Sequence, residues 1–222
     1  SSVVLPGVLT GMEPRVAARS LAASCAVFVC EADLTRVRLA LELYDYRELL
    51  RSRRLVFITH ARARDGFLDF FDRHAGFEFP RRLLRTPQVS AERFEALQRE
   101  VEAAAAEVHR LQQERVDSIR AALPAVPRAR QRPSAVVAIS AEADAARCAW
   151  MPRIERAMRR LGWLGTALTP SDPSSRHVAA ILSAVREHDA DTVLLVDGAA
   201  QTLASLLPPD RQVVGWFTPA VA

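Results

Sequence analysis

Lysine is missing from this sequence: all 30 basic residues among its 222 are arginine. With its abundant alanine, that is the usage of a GC-rich coding sequence rather than of a surface built for a polyanion. The arginines are interleaved with 26 acidic residues, as in EALQREVEAAAAEVHRLQQER. A net charge of +4 and a pI near 9.6 therefore give no one-signed face, and nucleic acid is not an expected partner. A concentrated basic stretch, Arg128, Arg130 and Arg132, lies in a Pro-rich segment and reads as a solvated linker.

Cysteine is scarce as well, with Cys25, Cys30 and Cys148 only, at neither disulfide nor metal spacing. Cys25 and Cys30 flank or enter an apolar run, where a thiol behaves as a small hydrophobe. That usage fits a reducing, cytoplasmic setting. CxxC and HExxH do not occur, so no metal site is expected. No apolar run approaches the ~18 residues that span a bilayer. The opening SSVVLPGVLTG lacks the basic leader of a secretory signal. GxGxxG, the phosphate-cradling P-loop and the GxSxG elbow are all absent, and no catalytic nucleophile is named. The chain starts at Ser1 and stops just past a strand-like run, which reads as a piece of something longer.

What is present is ordinary globular composition, 50% apolar and 25% charged, in an alternating pattern. Val3–Leu5, Ala26–Cys30 and Leu55–Ile58 are continuous apolar runs of the kind that parallel strands buried on both faces require. Between them, residues 13–24 have helix propensity, and Asp33 can cap a helix carrying Leu34, Val37, Leu41 and Tyr44. Residues 66–89 are mixed, broken by Gly66, Gly76, Pro80 and Pro87, with a Phe cluster that reads as a satellite core under a loop. From Ser90 to about Leu123, Phe94, Leu97, Val101, Ala104, Val108 and Leu111 mark one narrow seam on a long helix. Such a helix runs along the side of a domain or pairs with another, giving self-association through residues 90–123. Pro124, Pro127 and Pro133 end it. A second unit follows, with strands at 135–139, 163–169, 192–196 and 212–217. Its helices include one over Met151–Leu161 ended by Gly162, one started by Asp172-Pro173, and a short one near 199–207.

The pattern predicts an α/β protein. Two Rossmann-like parallel-sheet regions, residues 1–89 and 134–222, are joined by a long helix and a Pro/Arg linker over 90–133. Ligands of such sheets bind beyond the carboxyl ends of the strands. That rule selects Gly7 and Gly11 in the turn after the first strand, and Glu31 at the end of the second. A carboxylate there can accept from both ribose hydroxyls of a nucleotide or adenosyl cofactor. It can equally cap the next helix or face water. His60 follows the third strand and Asp197 the best strand of the second unit, and each would be presented at a cleft. Asp197-Gly198 is equally plain turn chemistry.

The segment from Trp150 to Trp216, with a helix ending in RRLGW, then HDADTVLLVDG and LPPDRQVVGWF, resembles the N-terminal Rossmann-like half of bacterial GT-B glycosyltransferases of the spore-maturation type. The stretch VFVCEADLTRVRLALELYDYRELLRSRRLVFITH resembles an N-terminal extension of such proteins and of motility-associated flagellin glycosyltransferases. Ala32 stands where that family commonly has proline, and Pro219 follows Trp216 where it tends to have an acid. The resemblance implies an acceptor-side portion of a glycosyltransferase that binds a sugar acceptor or small molecule, with His60, Asp197 and Trp216 as candidates. It implies that the nucleotide-sugar donor is held by a C-terminal domain beyond this chain, and that no sugar is transferred in isolation. Two other readings stand beside it: an S-adenosylmethionine-dependent methyltransferase-like domain at residues 1–80, and a scaffold associating through the long helix.

Overall fold

The apolar runs of the first block form parallel strands. The computed structural model describes residues 1–126, 132–139, 150–168, 173, 177–196 and 203–216. In it, β1 is Val3–Leu5, β2 Val27–Cys30, β3 Leu55–Ile58 and β4 Arg82–Leu83. They pair in the order β3-β2-β1-β4, every pair parallel, with Val3 opposite both Val27 and Arg82, and Val27 opposite Leu55. The helices are α1 Glu13–Ser20, α2 Leu34–Leu43, α3 Arg47–Arg51, α4 Ala63–Arg73 and α5 Ala91–Ala121.

Alternation along the strands decides which helix covers which face. Val4 and Phe28 point into one core with Phe67, Phe71 and Phe77, closed by Val101, Ala104 and Val108 of α5. Val3, Leu5, Val27 and Val29 point into the other, with Ala18, Val37, Ala40 and Tyr46. Both faces are covered, and continuous apolar strands become stable only under that condition.

Two expectations change here. The segment expected to be mixed begins as a regular helix, α4, which runs through Gly66. A Cβ on Gly66 would come within 2.4 Å of Ile58 Cγ2, so glycine at this point lets α4 lie close on β3. The phenylalanines are not a satellite core. Phe28 is fully buried and its ring meets those of Phe67, Phe70, Phe71 and Phe77 at 5.4–6.3 Å, in the main core of the unit.

Helix α1 ends at Ser20, four residues earlier than its alanine content suggests. The Arg54 guanidinium takes over the carbonyls at that end, donating to Ala18, Leu21 (3.1 Å) and Ala22 (3.3 Å).

The chain divides into two compact units, one on Ser1–Gln113 and the other on Glu114–Pro170 with Ser175–Ala222, so the division falls inside α5. In the second unit β5 is Ser134–Ile139, β6 Leu164–Ala167, β7 Thr192–Val196 and β8 Gln212–Trp216, parallel in the order β6-β5-β7-β8. Helix α6, Met151–Arg160, sets Met151 and Met158 against Ala135, Val137 and Val196. Helix α7, Val178–Glu187, packs on β5 and buries Leu182 and Val185. It starts five residues past Pro173. The cap is His177, whose Nδ1 accepts from the Ala179 N–H at 3.2 Å, and Asp172 lies outside the described residues.

Gly165 interrupts the apolar pattern of β6 for a steric reason. A Cβ there would sit 1.8 Å from the Ala135 carbonyl oxygen, and its φ is +139°. The protein is thus α/β with two four-stranded parallel sheets. Among the described residues, no helix is long and apolar enough to cross a membrane.

Candidate functional site

From β1 the chain adds β2 and β3 on one side, then returns to place β4 on the other. At such a reversal, the loops leaving the two neighbouring strands diverge to opposite faces and leave a crevice at their carboxyl ends. The crevice is there. Pro6, Gly7, Leu9 and Thr10 after β1, Glu31 after β2, Arg36 on α2, Gln88 and Val89 after β4, and Arg93 on α5 surround about 330 Å³.

Glu31 forms its buried wall, with 3% of its surface exposed. Its Oε2 accepts from the Val8 N–H at 3.4 Å and its Oε1 from the Asp33 N–H at 3.2 Å. Arg36 Nη1 stands 4.0 Å away. A buried carboxylate needs such compensation. The side chain ties the turn after β1 to the start of α2, so cap and brace coincide in one group.

Gly7, at φ +152°, faces it: a Cβ there would lie 3.2 Å from Glu31 Oε2 and 3.8 Å from Arg93 Nη2. Leu9 holds a left-handed conformation, φ +57°, on the same turn. A bulky residue in that region is strained, and strain of this kind concentrates at functional sites. Thr10 accepts from the Met12 N–H at 3.4 Å and donates to Glu13 Oε2 at 2.8 Å, fixing the start of α1 beside the crevice.

Of the residues selected from sequence, the structure brings Gly7 and Glu31 together here. Gly11 is not among the residues lining the crevice. Its φ is +90°, its missing side chain makes room for the Tyr44 ring, and its carbonyl accepts from the Tyr46 hydroxyl. His60 is exposed and lines a neighbouring depression of about 150 Å³ with Cys30, Ala32 and Glu100. The two spaces share Pro6 and Arg93. Burial, with a smaller push from Glu100, drives the Cys30 thiol up to about 12, so it stands there as an inert thiol rather than a nucleophile.

In the second unit the strand order reverses between β5 and β7. The residues after both strands, 140–149 and 197–202 with Asp197 among them, lie outside the described residues. Trp216 is the last residue of β8, in register with Val196.

Sequence reasoning did not single out Arg36, Gln88 and Arg93. Only the two-residue β4 brings Gln88 and the start of α5 beside β1, and no local pattern announces a strand so short. Among the described residues, no three His, Cys, Asp or Glu side chains are grouped to hold a metal ion. Compared with known proteins, the chain matches no family model, no curated protein and no solved structure.

Proposed function

We propose that the protein holds a sugar acceptor, or a small molecule of that size, as the acceptor-side portion of a glycosyltransferase that does not complete transfer by itself. The observation that carries the binding half of this reading is the crevice at the β1/β4 reversal. Its ~330 Å³ lies at the low end of the range for small-molecule sites, enough for one monosaccharide-sized ligand and tight for a dinucleotide. Its polar lining of Arg36, Gln88, Arg93 and backbone suits a hydroxyl-rich molecule.

The transferase half rests on the resemblance. RRLGW falls where α6 gives way to β6, TVLLV is β7 and QVVGW is β8, all in a parallel sheet, which supports it. Burial of Cys25 and Cys30 in the first unit suits a cytoplasmic setting.

An adenosyl cofactor makes a different demand. Its ribose would need the Glu31 oxygens that Val8 and Asp33 now occupy. Saturation-transfer NMR against monosaccharides, calorimetry with S-adenosylmethionine and turnover of nucleotide-sugars separate these readings. Sugar binding is expected, with no nucleoside diphosphate released by the chain alone. Release of nucleoside diphosphate would overturn the incompetence, and S-adenosylmethionine binding abolished by Glu31→Ala would replace the reading altogether.

A further inference from the structure

Several exposed arginines on or beside these helices meet an acid one turn away. Arg38 pairs with Glu42, Arg62 with Asp65, Arg73 with Asp69, Arg110 with Glu107 and Arg159 with Glu155. Arg36, inside the crevice, is shared between Asp33 at 3.5 Å and Glu31 at 4.0 Å. Arg93 has no such acid. The positions one turn away from it are Val89, Ser90, Ala96 and Leu97, none of them acidic. Its guanidinium makes no ion pair or hydrogen bond among the described residues; only its backbone N–H is engaged, by Ser90 Oγ at 3.3 Å. It reaches over Gly7, within 3.8 Å of where a Cβ would stand, and lines both the crevice and the depression beside it.

A guanidinium offers five donors in a planar fork that matches the two oxygens of a carboxylate or phosphate. The sequence gives Arg93 no acid of its own, and the fold sets it over a crevice whose floor lacks a side chain at Gly7. We infer that the ligand of this crevice carries an oxyanionic group that pairs with Arg93, which makes it a sugar acid or a sugar phosphate rather than a neutral sugar. This rests on the crevice being the acceptor site. Arg93 is the specificity-determining residue, and Arg36, already shared with two carboxylates, is secondary.

Calorimetry on the full chain with glucose 6-phosphate, glucuronate and glucose tests it. At least one anion should bind tenfold or more tightly than glucose, and which one does so identifies the oxyanion. Arg93→Ala should weaken that anion at least tenfold and by a clearly larger factor than it weakens glucose, and Arg93→Lys should recover only part, since the charge returns without the fork. Arg93 is exposed, so circular dichroism of both variants should match the parent. Equal binding of all three probes, or an anion affinity indifferent to Arg93→Ala, overturns the inference while leaving the acceptor site standing. If none of the three binds, both fall together.

Discussion

Among the described residues, Cys30 and Tyr46 are those whose proton affinity the fold raises most. Burial drives the Cys30 thiol from 9.0 to about 12. Burial, helped by the neighbouring Tyr44, drives the Tyr46 phenol from 10.0 to about 12. In the folded chain both keep their protons to near pH 12, whereas the unfolded chain ionises the thiol near 9 and the phenol near 10. The unfolded state therefore binds fewer protons as the medium turns alkaline, and stability falls with rising pH. The contribution is intact below pH 9 and is lost progressively between 9 and 12. The urea midpoint at pH 10.5 should lie below that at pH 8, and Cys30→Ala should flatten the decline. An unchanged slope in that variant would assign it to other groups.

At the scale of elements, three helices end in the same way for different residues. After α3, Arg53 N–H reaches Leu50 O and Arg54 N–H reaches Leu49 O. After α6, Gly162 reaches Arg159 and Trp163 reaches Met158. After α7, Asp189 reaches Arg186 and Ala190 reaches Val185. Each is a Schellman closure whose C′ residue sits at positive φ: 57° for Arg53, 75° for Gly162 and 44° for Asp189. Only one of the three is the glycine that such a position favours. A Cβ on Gly162 would meet nothing within 4 Å, so backbone conformation alone is at stake there. Gly162→Ala should destabilise by ~1 kcal/mol, and Arg53→Gly should stabilise by a similar amount. Denaturant unfolding of the pair checks both signs, and equal signs would mean the φ argument does not govern these sites.

For the whole molecule, the long helix is the element whose role depends most on context. Its seam of Val101, Ala104 and Val108 is buried against Phe28, Phe67 and Phe71 of the first unit. Each of those valines contributes ~1.5–3 kcal/mol by burial, a large share of a net stability of ~5–15 kcal/mol. Deleting residues 90–123 should therefore abolish the cooperative thermal transition of the first unit, seen in near-UV circular dichroism. Self-association is better tested by light scattering of the intact chain with charge reversals at exposed positions such as Arg99 and Glu102. A deletion that kept a native-like transition would show that the seam is dispensable.

The sequence by itself determined the parallel strands, because segments buried on both faces must be apolar throughout, and the strand-helix alternation then leaves parallel pairing as the economical solution. It also determined the long helix with its seam, the closure at Gly162, and the placing of Gly7 and Glu31 at strand ends. Strand order, and with it the site, was decided only by tertiary structure. Nothing in Arg82-Leu83 announces a strand, yet that pair on the far side of β1 creates the reversal that opens the crevice. The same pairing brings Arg93 over Gly7 across 86 residues of chain. Local patterns report what each segment buries. Which neighbour it buries against depends on loop closure and packing across the sheet, and these have no signature within a single segment.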